Sequence, residues 1–360
     1  MQKITTMNNH VVIMAGGIGS RFWPLSTPDF PKQFIDILGC GRTLIQLTVD
    51  RFRGICPMEN FWVVTNAKYV DIVRQQLPEI PEQHILAEPA ARNTAPCIAW
   101  ACWRIKAEDP DANVVVTPAD AVVMNPVEFR RVIQNALDFT AQNDLIVTIG
   151  IKPSRPETGY GYVESSDAVQ GEIRKVAAFK EKPALEVAQR YLEAGNYLWN
   201  AGIFVWNVKT ITQCITTYKP VLASQMDQIT SNLSPLTSNL SPLTSHLESI
   251  FPQCEKISID YAVMEPAAAD GLVCTHPADF GWSDLGNWAS LYDKLQHDAE
   301  GNGSVGNIHL YECHNCVVHA EDAEKVVLQG LEGYIVSLKD GRLLVCKRSE
   351  EQRIKEFTAG

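Results

Sequence analysis

Between residues 11 and 150, short runs of β-branched and other apolar residues alternate with longer amphipathic stretches. Such alternation is typical of a parallel sheet covered by helices, and it restricts this part of the chain to an α/β fold. We predict a doubly wound mixed, mostly parallel sheet, whose ligands bind beyond the carboxyl ends of the strands. The predicted strands are 11–14, 61–65, 113–117 and 145–149, and the predicted helices are 43–53, 67–77, 94–106 and 126–141.

The second half of the chain is less regular. It contains a predicted strand at 173–179, a helix at 184–194 and a strand at 202–206, which together extend the same sheet. From residue 302 the pattern changes to short strands separated by Gly and Asp turns, at 326–328, 334–337 and 343–346, which indicates a small β-rich domain. We therefore predict a main α/β domain at 8–295 and a C-terminal β domain at 302–360.

A seven-residue segment, SNLSPLT, occurs twice in succession at residues 231–244. The segment is uncharged and rich in Ser, Asn and Pro, and two copies of seven residues are too short to form a repeat architecture. We predict a flexible surface insertion at about 228–247.

Charge and hydropathy exclude several classes of function. The formal net charge of −11 argues against nucleic-acid binding, which depends on clustered Lys and Arg. No apolar run approaches the ~20 residues that a membrane span needs, and the apolar run at 11–15 is too short for a signal peptide. We therefore expect no membrane association and a cytoplasmic location.

The chain has ten cysteines without regular spacing, which is typical of free thiols in a reducing compartment. Cys313 and Cys316, near His314 and His319, are the one pair with metal-ligand spacing. Because no second pair of ligands follows, ordinary thiols in a strand or turn are the favoured interpretation over a zinc site.

The first predicted strand leads directly into AGGIGSRFWPLSTPDFPKQF, which combines three glycines with Arg21 and Lys32. Glycines let backbone N–H groups approach a phosphate chain, and the two cations would neutralise it. The segment lacks the Gly-Lys-Ser/Thr ending of a P-loop, and Phe22 stands where the dinucleotide fingerprint requires Gly or Ala. The loop thus predicts phosphate binding but supports neither an ATPase nor a dehydrogenase.

This loop, with its continuation into Pro-Leu-Ser and Pro-Lys-Gln-Phe, resembles the signature of the nucleotide-sugar pyrophosphorylases in their mannose-1-phosphate guanylyltransferase form. The resemblance extends over residues 11 to about 290, and the tail KVVLQGLEGYIVSLKDGRLLVCKR is similar to the family's C-terminal β segment. It implies a Rossmann-like nucleotidyltransferase fold. The further motifs, in family order, are EPAARNTAPCIA, TPAD, TGYGYVE, FKEKP, WNAGIF, SIDYAVME and FGWSDLGNW.

The resemblance implies that GTP and mannose 1-phosphate are converted to GDP-mannose and pyrophosphate. Two alternatives stay open: the same chemistry with another sugar 1-phosphate or nucleotide, and a non-catalytic homologue that binds a nucleotide sugar. The second alternative predicts loss of the charged residues, yet Arg21, Lys32, Asp120, Lys182 and Asp284 are all present.

By resemblance, Arg21 and Lys32 contact the triphosphate, and Lys182 contacts the attacking sugar phosphate. Glu88 is our inferred partner for the N1–H and N2–H₂ groups of guanine. Because a phosphomonoester has a second pKa near 6, the nucleophile is already largely dianionic at pH 7 and needs no general base. The nucleotide-binding set is Ala15, Gly16, Gly17, Gly19, Ser20, Arg21, Glu88, Arg92, Asn93 and Thr94.

The resemblance further implies sugar-phosphate binding by Gly161, Glu181, Lys182, Asn200 and Asp260, and Mg²⁺ binding by Asp120 and Asp284. Hard oxygen ligands from one or two carboxylates suit Mg²⁺ that is also bound to substrate phosphates.

Each of these residues also has an ordinary structural interpretation. Asp120 could be a turn residue, and Asp284 the N-cap of a helix beginning near Leu285. Thr94 could cap a helix, Asn200 could cap a strand, and Asp260 could be a first-turn acid of a helix. The TGYGY motif at 158–162 could form a simple hairpin.

Longer family members carry a C-terminal isomerase domain, and about sixty residues after the catalytic region are too few for one, so we expect a single activity. A homodimer is an expectation from the resemblance alone.

Overall fold

The computed structural model describes residues 8–17, 20–231 and 241–358. The strands are β1 Asn9–Met14, β2 Phe61–Asn66, β3 Ile85–Glu88, β4 Asn113–Pro118, β5 Ile146–Ile151, β6 Tyr162–Gln170, β7 Ile173–Lys180, β8 Tyr197–Asn207, β9 Val273–Ala278, β10 Gly303–Gly306, β11 Ile308–Tyr311, β12 Val317–Ala320, β13 Val326–Gln329, β14 Tyr334–Lys339 and β15 Arg342–Lys347. The helices are α1 Leu44–Phe52, α2 Val70–Gln76, α3 Thr94–Glu108, α4 Pro126–Thr140, α5 Leu185–Ala194, α6 Val208–Tyr218, α7 Pro220–Thr230, α8 Ser241–Ile250, α9 Glu265–Ala269, α10 Trp288–Tyr292 and α11 Ile354–Phe357.

Strands β1–β9 form one sheet in the order β3-β2-β1-β4-β8-β5-β9-β7-β6. Parallel pairing holds from β3 to β4 and between β5 and β9, whereas β8 is antiparallel to both β4 and β5. Strands β6 and β7 are also antiparallel to their neighbours. The α/β class and the mixed sheet are thus confirmed, but the expectation of a mostly parallel sheet holds only for these two parts.

The central parallel strands of the sheet are buried. The described residues of β1 and β4 are almost all buried, which explains why both strands read as continuous apolar runs in the sequence. Helix α3 packs against this sheet and is buried from Ala95 to Ile105. The carboxyl ends of β1, β3 and β4 are Met14, Glu88 and Pro118, each followed at once by a motif singled out in the sequence.

The C-terminal residues are β-rich as predicted. Strands β10, β12, β14 and β15 form a four-stranded sheet, and β11 pairs with β13. Leu344 and Cys346 on the inner face of β15 join a core that contains Phe22, Trp288 and Ile354.

The described chain divides into two compact units. The first comprises the residues up to Gly16, Arg51–Pro118 and Val123–Trp282, and the second comprises Gly17–Asp50, Ala119–Val122 and the residues from Ser283 onward. In this division, residues 17–50 and 119–122 group with the C-terminal residues, which the sequence did not lead us to expect. The predicted domain boundary near residue 300 stays a prediction.

The predicted insertion at 228–247 is helical at both ends. Helix α7 continues to Thr230 and α8 begins at Ser241, inside the second SNLSPLT copy, while residues 232–240 lie outside the described part. A Pro directly after Ser241 suits the first turn of a helix, where its missing N–H costs no hydrogen bond. Across the described residues, no helix is both long enough and apolar enough to cross a membrane.

Candidate active site

The loop after β1 starts from a firmly held backbone. The N–H of Ala15 donates to the carbonyl of Val64 at 2.8 Å, and the hydroxyl of Thr65 donates to the carbonyl of Ala15 at 3.0 Å. A β-carbon built on Gly16 would lie 3.2 Å from Glu88 Oε2, which is tighter than most side chains tolerate. Glycine at position 16 therefore lets the loop pass close to the carboxylate at the end of β3.

Glu88 is buried, with 6% of its surface exposed. Burial raises the pKa of Glu88 to about 7, while a hydrogen bond with the Cys97 thiol opposes this shift. A buried carboxyl group with such a pKa is a functional candidate rather than a surface charge. Strand β3, which presents Glu88, was missed in the sequence because it has only four residues.

Residues 92–94 have structural partners in addition to their predicted nucleotide role. The Arg92 guanidinium donates to the carbonyl of Pro252. The hydroxyl of Thr94 accepts from the N–H of Ile259 at 2.9 Å, while Asn93 is the N-cap of α3, with a positive φ of 69°. Thr94 is thus not the cap of the helix, and contact with a nucleotide stays a prediction for these three residues.

Asn200 and Asp260 are directly hydrogen-bonded. The Asn200 Nδ2 donates to Asp260 Oδ1 at 3.0 Å, and Asn200 Oδ1 accepts from the hydroxyl of Thr148 at 2.9 Å and from the N–H of Gly202 at 3.1 Å. These partners orient the amide. Because Asn200 lies within β8 and not at its end, the strand-cap interpretation is wrong.

Asp260 begins a π-helical turn, Asp260–Met264, a conformation that is frequent at functional sites. Burial and the neighbouring Glu181 charge raise the pKa of Asp260 to about 6.

Glu181 and Lys182 follow β7 directly. Lys182 has a φ of 45°, unusual for a residue with a side chain, and its Nζ lies 2.7 Å from Glu181 Oε1. The hydrogen bond with Glu181 raises the pKa of the exposed Lys182, so its ammonium stays charged at neutral pH.

Gly161 makes room for Glu181. A β-carbon on Gly161 would lie 2.5 Å from Glu181 Oε2, and the Gly161 carbonyl accepts from the N–H of Asn200 at 2.8 Å. The TGYGY segment consists of bends leading into β6, so it is not a hairpin. The structure therefore brings all five predicted sugar-phosphate residues into one group, the Asn200 cluster: Gly161, Glu181, Lys182, Asn200 and Asp260.

Lys32 lies in a second group, the Lys32 cluster, with Asp120 and Asp284. Only 7% of Lys32 is exposed, and its Nζ lies 2.8 Å from the carbonyl of Asp284, 2.9 Å from that of Leu285 and 3.1 Å from Asp120 Oδ2. An ammonium has three donors, so these oxygens use its full capacity. Direct contact with a triphosphate, as predicted, would require Lys32 to exchange one of these partners.

Asp120 and Asp284 are connected through the backbone. Val122 and Ser283 exchange two hydrogen bonds, of 2.8 and 3.0 Å, so the chain two residues after Asp120 pairs with the chain one residue before Asp284. This pairing joins two motifs that are more than 160 residues apart in the sequence.

The Asp284 segment is a tight turn and not a helix start. Leu285 has a φ of 46°, and the N–H of Gly286 donates to Asp284 Oδ1 at 3.2 Å. The N-cap of α10 is Asn287, so the interpretation of Asp284 as an N-cap is wrong. A β-carbon on Gly286 would lie 2.7 Å from Asp284 Oδ2, so only glycine at position 286 leaves the Asp284 carboxylate where it is.

Asp120 and Asp284 offer two carboxylates, whose hard oxygens are the ligands that Mg²⁺ prefers. The Lys32 ammonium already lies beside Asp120 Oδ2, and Mg²⁺ binding by the two aspartates stays a prediction. Among the described residues no group of three or more His, Cys, Asp or Glu side chains could hold a metal.

Arg21 lies in a 3-10 turn, Ser20–Phe22, and its side chain is exposed. Its guanidinium donates weakly to the carbonyl of Gly286, at 3.5 Å. The Gln33 amide donates to the carbonyl of Gly17 at 2.9 Å and holds the start of the loop, a partner that the sequence did not single out. Gly19 lies outside the described residues, as does the side chain of Ser20.

Cys313 and Cys316 are buried thiols of the C-terminal core. Their sulfur atoms interact with backbone carbonyls, that of Tyr311 for Cys313 and those of His314 and Leu331 for Cys316. These contacts agree with the favoured interpretation as ordinary thiols.

Comparison with known proteins gives consistent results. A family model described as "Nucleotidyl transferase" matches residues 10–301. The chain is 36% identical to mannose-1-phosphate guanylyltransferase of Escherichia coli (strain K12), over 96% of this chain and 72% of that protein. It is also 36% identical to mannose-1-phosphate guanylyltransferase ManC of Salmonella typhimurium, over 96% of this chain and 71% of that protein. A crystal structure described as mannose-1-phosphate geranyltransferase from Thermus thermophilus superposes with a TM-score of 0.86 at 28% identity, covering 98% of this chain and 99% of the other.

Proposed function

We propose that this chain, which belongs to the nucleotidyl transferase family and within it to the mannose-1-phosphate guanylyltransferases, transfers GMP from GTP to mannose 1-phosphate. The products are GDP-mannose and pyrophosphate. The observation that carries the proposal is the similarity over 96% of the chain, combined with an intact set of charged residues in both clusters.

The Asn200 cluster supports the role of sugar-phosphate site. Asn200 and Asp260 present an amide and a carboxylate whose orientation is set by internal hydrogen bonds, and such groups suit sugar hydroxyls. Lys182 is positively charged at neutral pH and can bind the phosphate of mannose 1-phosphate. Its positive φ is unusual for a residue with a side chain, and such residues cluster at functional sites.

Glu88 and the loop from Ala15 to Arg21 support the role of nucleotide site. The buried Glu88 carboxylate can accept from guanine N1–H and N2–H₂, and Gly16 lets the loop run close beside it. Arg21, with an exposed guanidinium, can bind the β- and γ-phosphates. Arg92, Asn93 and Thr94 complete the predicted nucleotide-binding set.

Asp120 and Asp284 would hold Mg²⁺, which when bound neutralises charge on phosphate oxygens. Residues of the chain would bind the reactants for an in-line displacement. Lys182 holds the attacking phosphate, Arg21 stabilises the charge that develops on the leaving pyrophosphate, and Lys32 keeps the two aspartates in register. No proton has to be removed from the nucleophile, because it is dianionic near pH 7.

The test is a pyrophosphate-release assay with purified protein, GTP, mannose 1-phosphate and MgCl₂. We expect release that depends on both substrates and stops when EDTA is added. Two outcomes contradict the proposal. One is pyrophosphate release that needs neither the sugar phosphate nor GTP as opposed to another nucleotide, and the other is no release at all. A panel of the four common nucleoside triphosphates with mannose, glucose and fucose 1-phosphates then separates this reaction from the same chemistry on other substrates.

A further inference from the structure

A cavity of about 170 Å³ lies beside Arg21 in the second compact unit. Its wall combines the Arg21 turn, the start of α10 and the last part of the described chain. The cavity has room for a small anion and a few waters, since a water molecule takes roughly 30 Å³ in the liquid. The lining residues are Arg21, Asn287, Trp288, Glu351, Gln352, Ile354 and Lys355.

The C-terminal segment in this wall is firmly attached. Ile354 is 1% exposed and packs in the same core as Phe22 and Trp288, whose rings lie 5.4 Å apart. Glu351 Oε2 accepts from the N–H of Ala289 at 2.9 Å, in the first turn of α10. Because Glu351 and Ile354 anchor the segment that leads to Lys355, the position from which the Lys355 side chain extends is well defined.

The charges of the cavity favour an anion. Arg21 and Lys355 contribute two positive charges, and Glu351, the one acidic residue in the lining, already accepts a backbone hydrogen bond. Within the described residues Lys355 has no ion pair, whereas Arg353 on the same segment pairs with Glu350 at 2.9 Å and with Glu356 at 3.3 Å. Lys355 is therefore available to a ligand and Arg353 is not.

We propose that Lys355 and Arg21 together bind the leaving pyrophosphate of the transfer reaction, so that the C-terminal segment contributes a phosphate-binding residue. This inference rests on the proposed function. In that reaction the bond between the α-phosphorus and its bridging oxygen to the β-phosphate breaks, and the sugar phosphate oxygen bonds to the α-phosphorus. The bridging oxygen leaves with the electron pair, so the pyrophosphate gains negative charge next to Arg21. A second cation stabilises that charge.

The experiment is the reverse reaction, in which GDP-mannose and sodium pyrophosphate form GTP. We expect Lys355→Met to raise the KM for pyrophosphate about tenfold, as for one charge-assisted hydrogen bond in a partly solvated site. The KM for GDP-mannose should change little. Lys355→Arg should restore most of the loss, and the difference between wild type and Lys355→Met should shrink as KCl is raised.

Lys347→Met is the matched control, since Lys347 is an exposed lysine on β15 that does not line the cavity. An unchanged KM for pyrophosphate in Lys355→Met, or an equal rise in Lys347→Met, would overturn the inference.

Isothermal titration with sodium pyrophosphate and with sodium orthophosphate tests the site without turnover. Tighter binding of pyrophosphate that Lys355→Met weakens supports the inference, and equal affinity for both anions contradicts it. If the wild type lacks transfer activity while still binding pyrophosphate through Lys355, the proposed function fails and the anion site remains.

Discussion

Replacing Lys32 by Met removes the ammonium from the Lys32 cluster while keeping an unbranched apolar side chain. Three oxygen atoms lose a donor: the carbonyls of Asp284 and Leu285 and the carboxylate of Asp120. The Leu285 carbonyl is the one that water replaces least easily, because both partners of this hydrogen bond are buried.

The magnitude follows from these three losses. A buried carbonyl without its donor costs about 1–3 kcal/mol, whereas the Asp120 carboxylate, one third exposed, can be resolvated and loses about 1 kcal/mol or less. We therefore expect Lys32→Met to lower the free energy of unfolding by about 2–4 kcal/mol.

Urea unfolding monitored by tryptophan fluorescence measures this loss, with Lys325→Met as control. Lys325 is exposed, so its replacement should change the free energy of unfolding by no more than about 0.5 kcal/mol. A loss of stability is expected only if the Lys32 ammonium donates to protein oxygens in the absence of a ligand. A stability within about 0.5 kcal/mol of wild type, combined with a large loss of GTP affinity, would refute our reasoning and assign Lys32 to the triphosphate.

Three further perturbations test the carboxylates. Asp284→Asn should lower turnover by orders of magnitude with an unchanged circular dichroism spectrum, and near-normal activity would exclude Asp284 as a metal ligand. Gly286→Ala should displace the Asp284 carboxylate, because a β-carbon would lie 2.7 Å from Oδ2. We therefore expect this variant to need more Mg²⁺ than wild type for half-maximal activity in a Mg²⁺ titration. Since the pKa of Glu88 is about 7, the KM for GTP should rise about tenfold from pH 8 to pH 6 as the carboxylate is protonated, a dependence that Glu88→Gln should abolish.

The local elements of the fold could be predicted well from the sequence. Strands β1 and β4 are uninterrupted β-branched runs because both faces of the parallel sheet are covered, and α4 begins at a Pro preceded by a capping Asn. Strands β3, β6 and β9 were not predicted, and β8 was expected only from residue 202 but begins at Tyr197. In the sequence Gly202 resembles a turn residue, and in the structure it has a φ of 68°. The antiparallel position of β8 between β4 and β5 depends on long-range pairing.

In the candidate site, too, single residues could be predicted from local motifs, whereas their contacts with distant segments could not. The motifs identified Asp120 and Asp284, but only the backbone pairing of Val122 with Ser283 shows how the two aspartates are connected. Lys32 was recognised as a functional cation, yet its three partners come from segments far away in the chain. Lys355 could not be found, since a single lysine near the end of a chain has no distinguishing pattern.

The burial of Glu88 is a cost that the sequence could not reveal. Its pKa is about 7 in the folded protein and 4.5 in the unfolded chain, so the folded state holds the proton more tightly. The destabilisation is therefore absent below pH 4.5, grows as the pH rises, and is complete above pH 7, where it amounts to about 3 kcal/mol. Glu88→Gln, which carries no charge, should then be more stable than wild type by about 3 kcal/mol at pH 8, and the difference should fall to about 1 kcal/mol at pH 5. Urea unfolding at both pH values measures this difference, and a variant whose stability relative to wild type is the same at pH 5 and pH 8 would show that the Glu88 carboxylate carries no such cost.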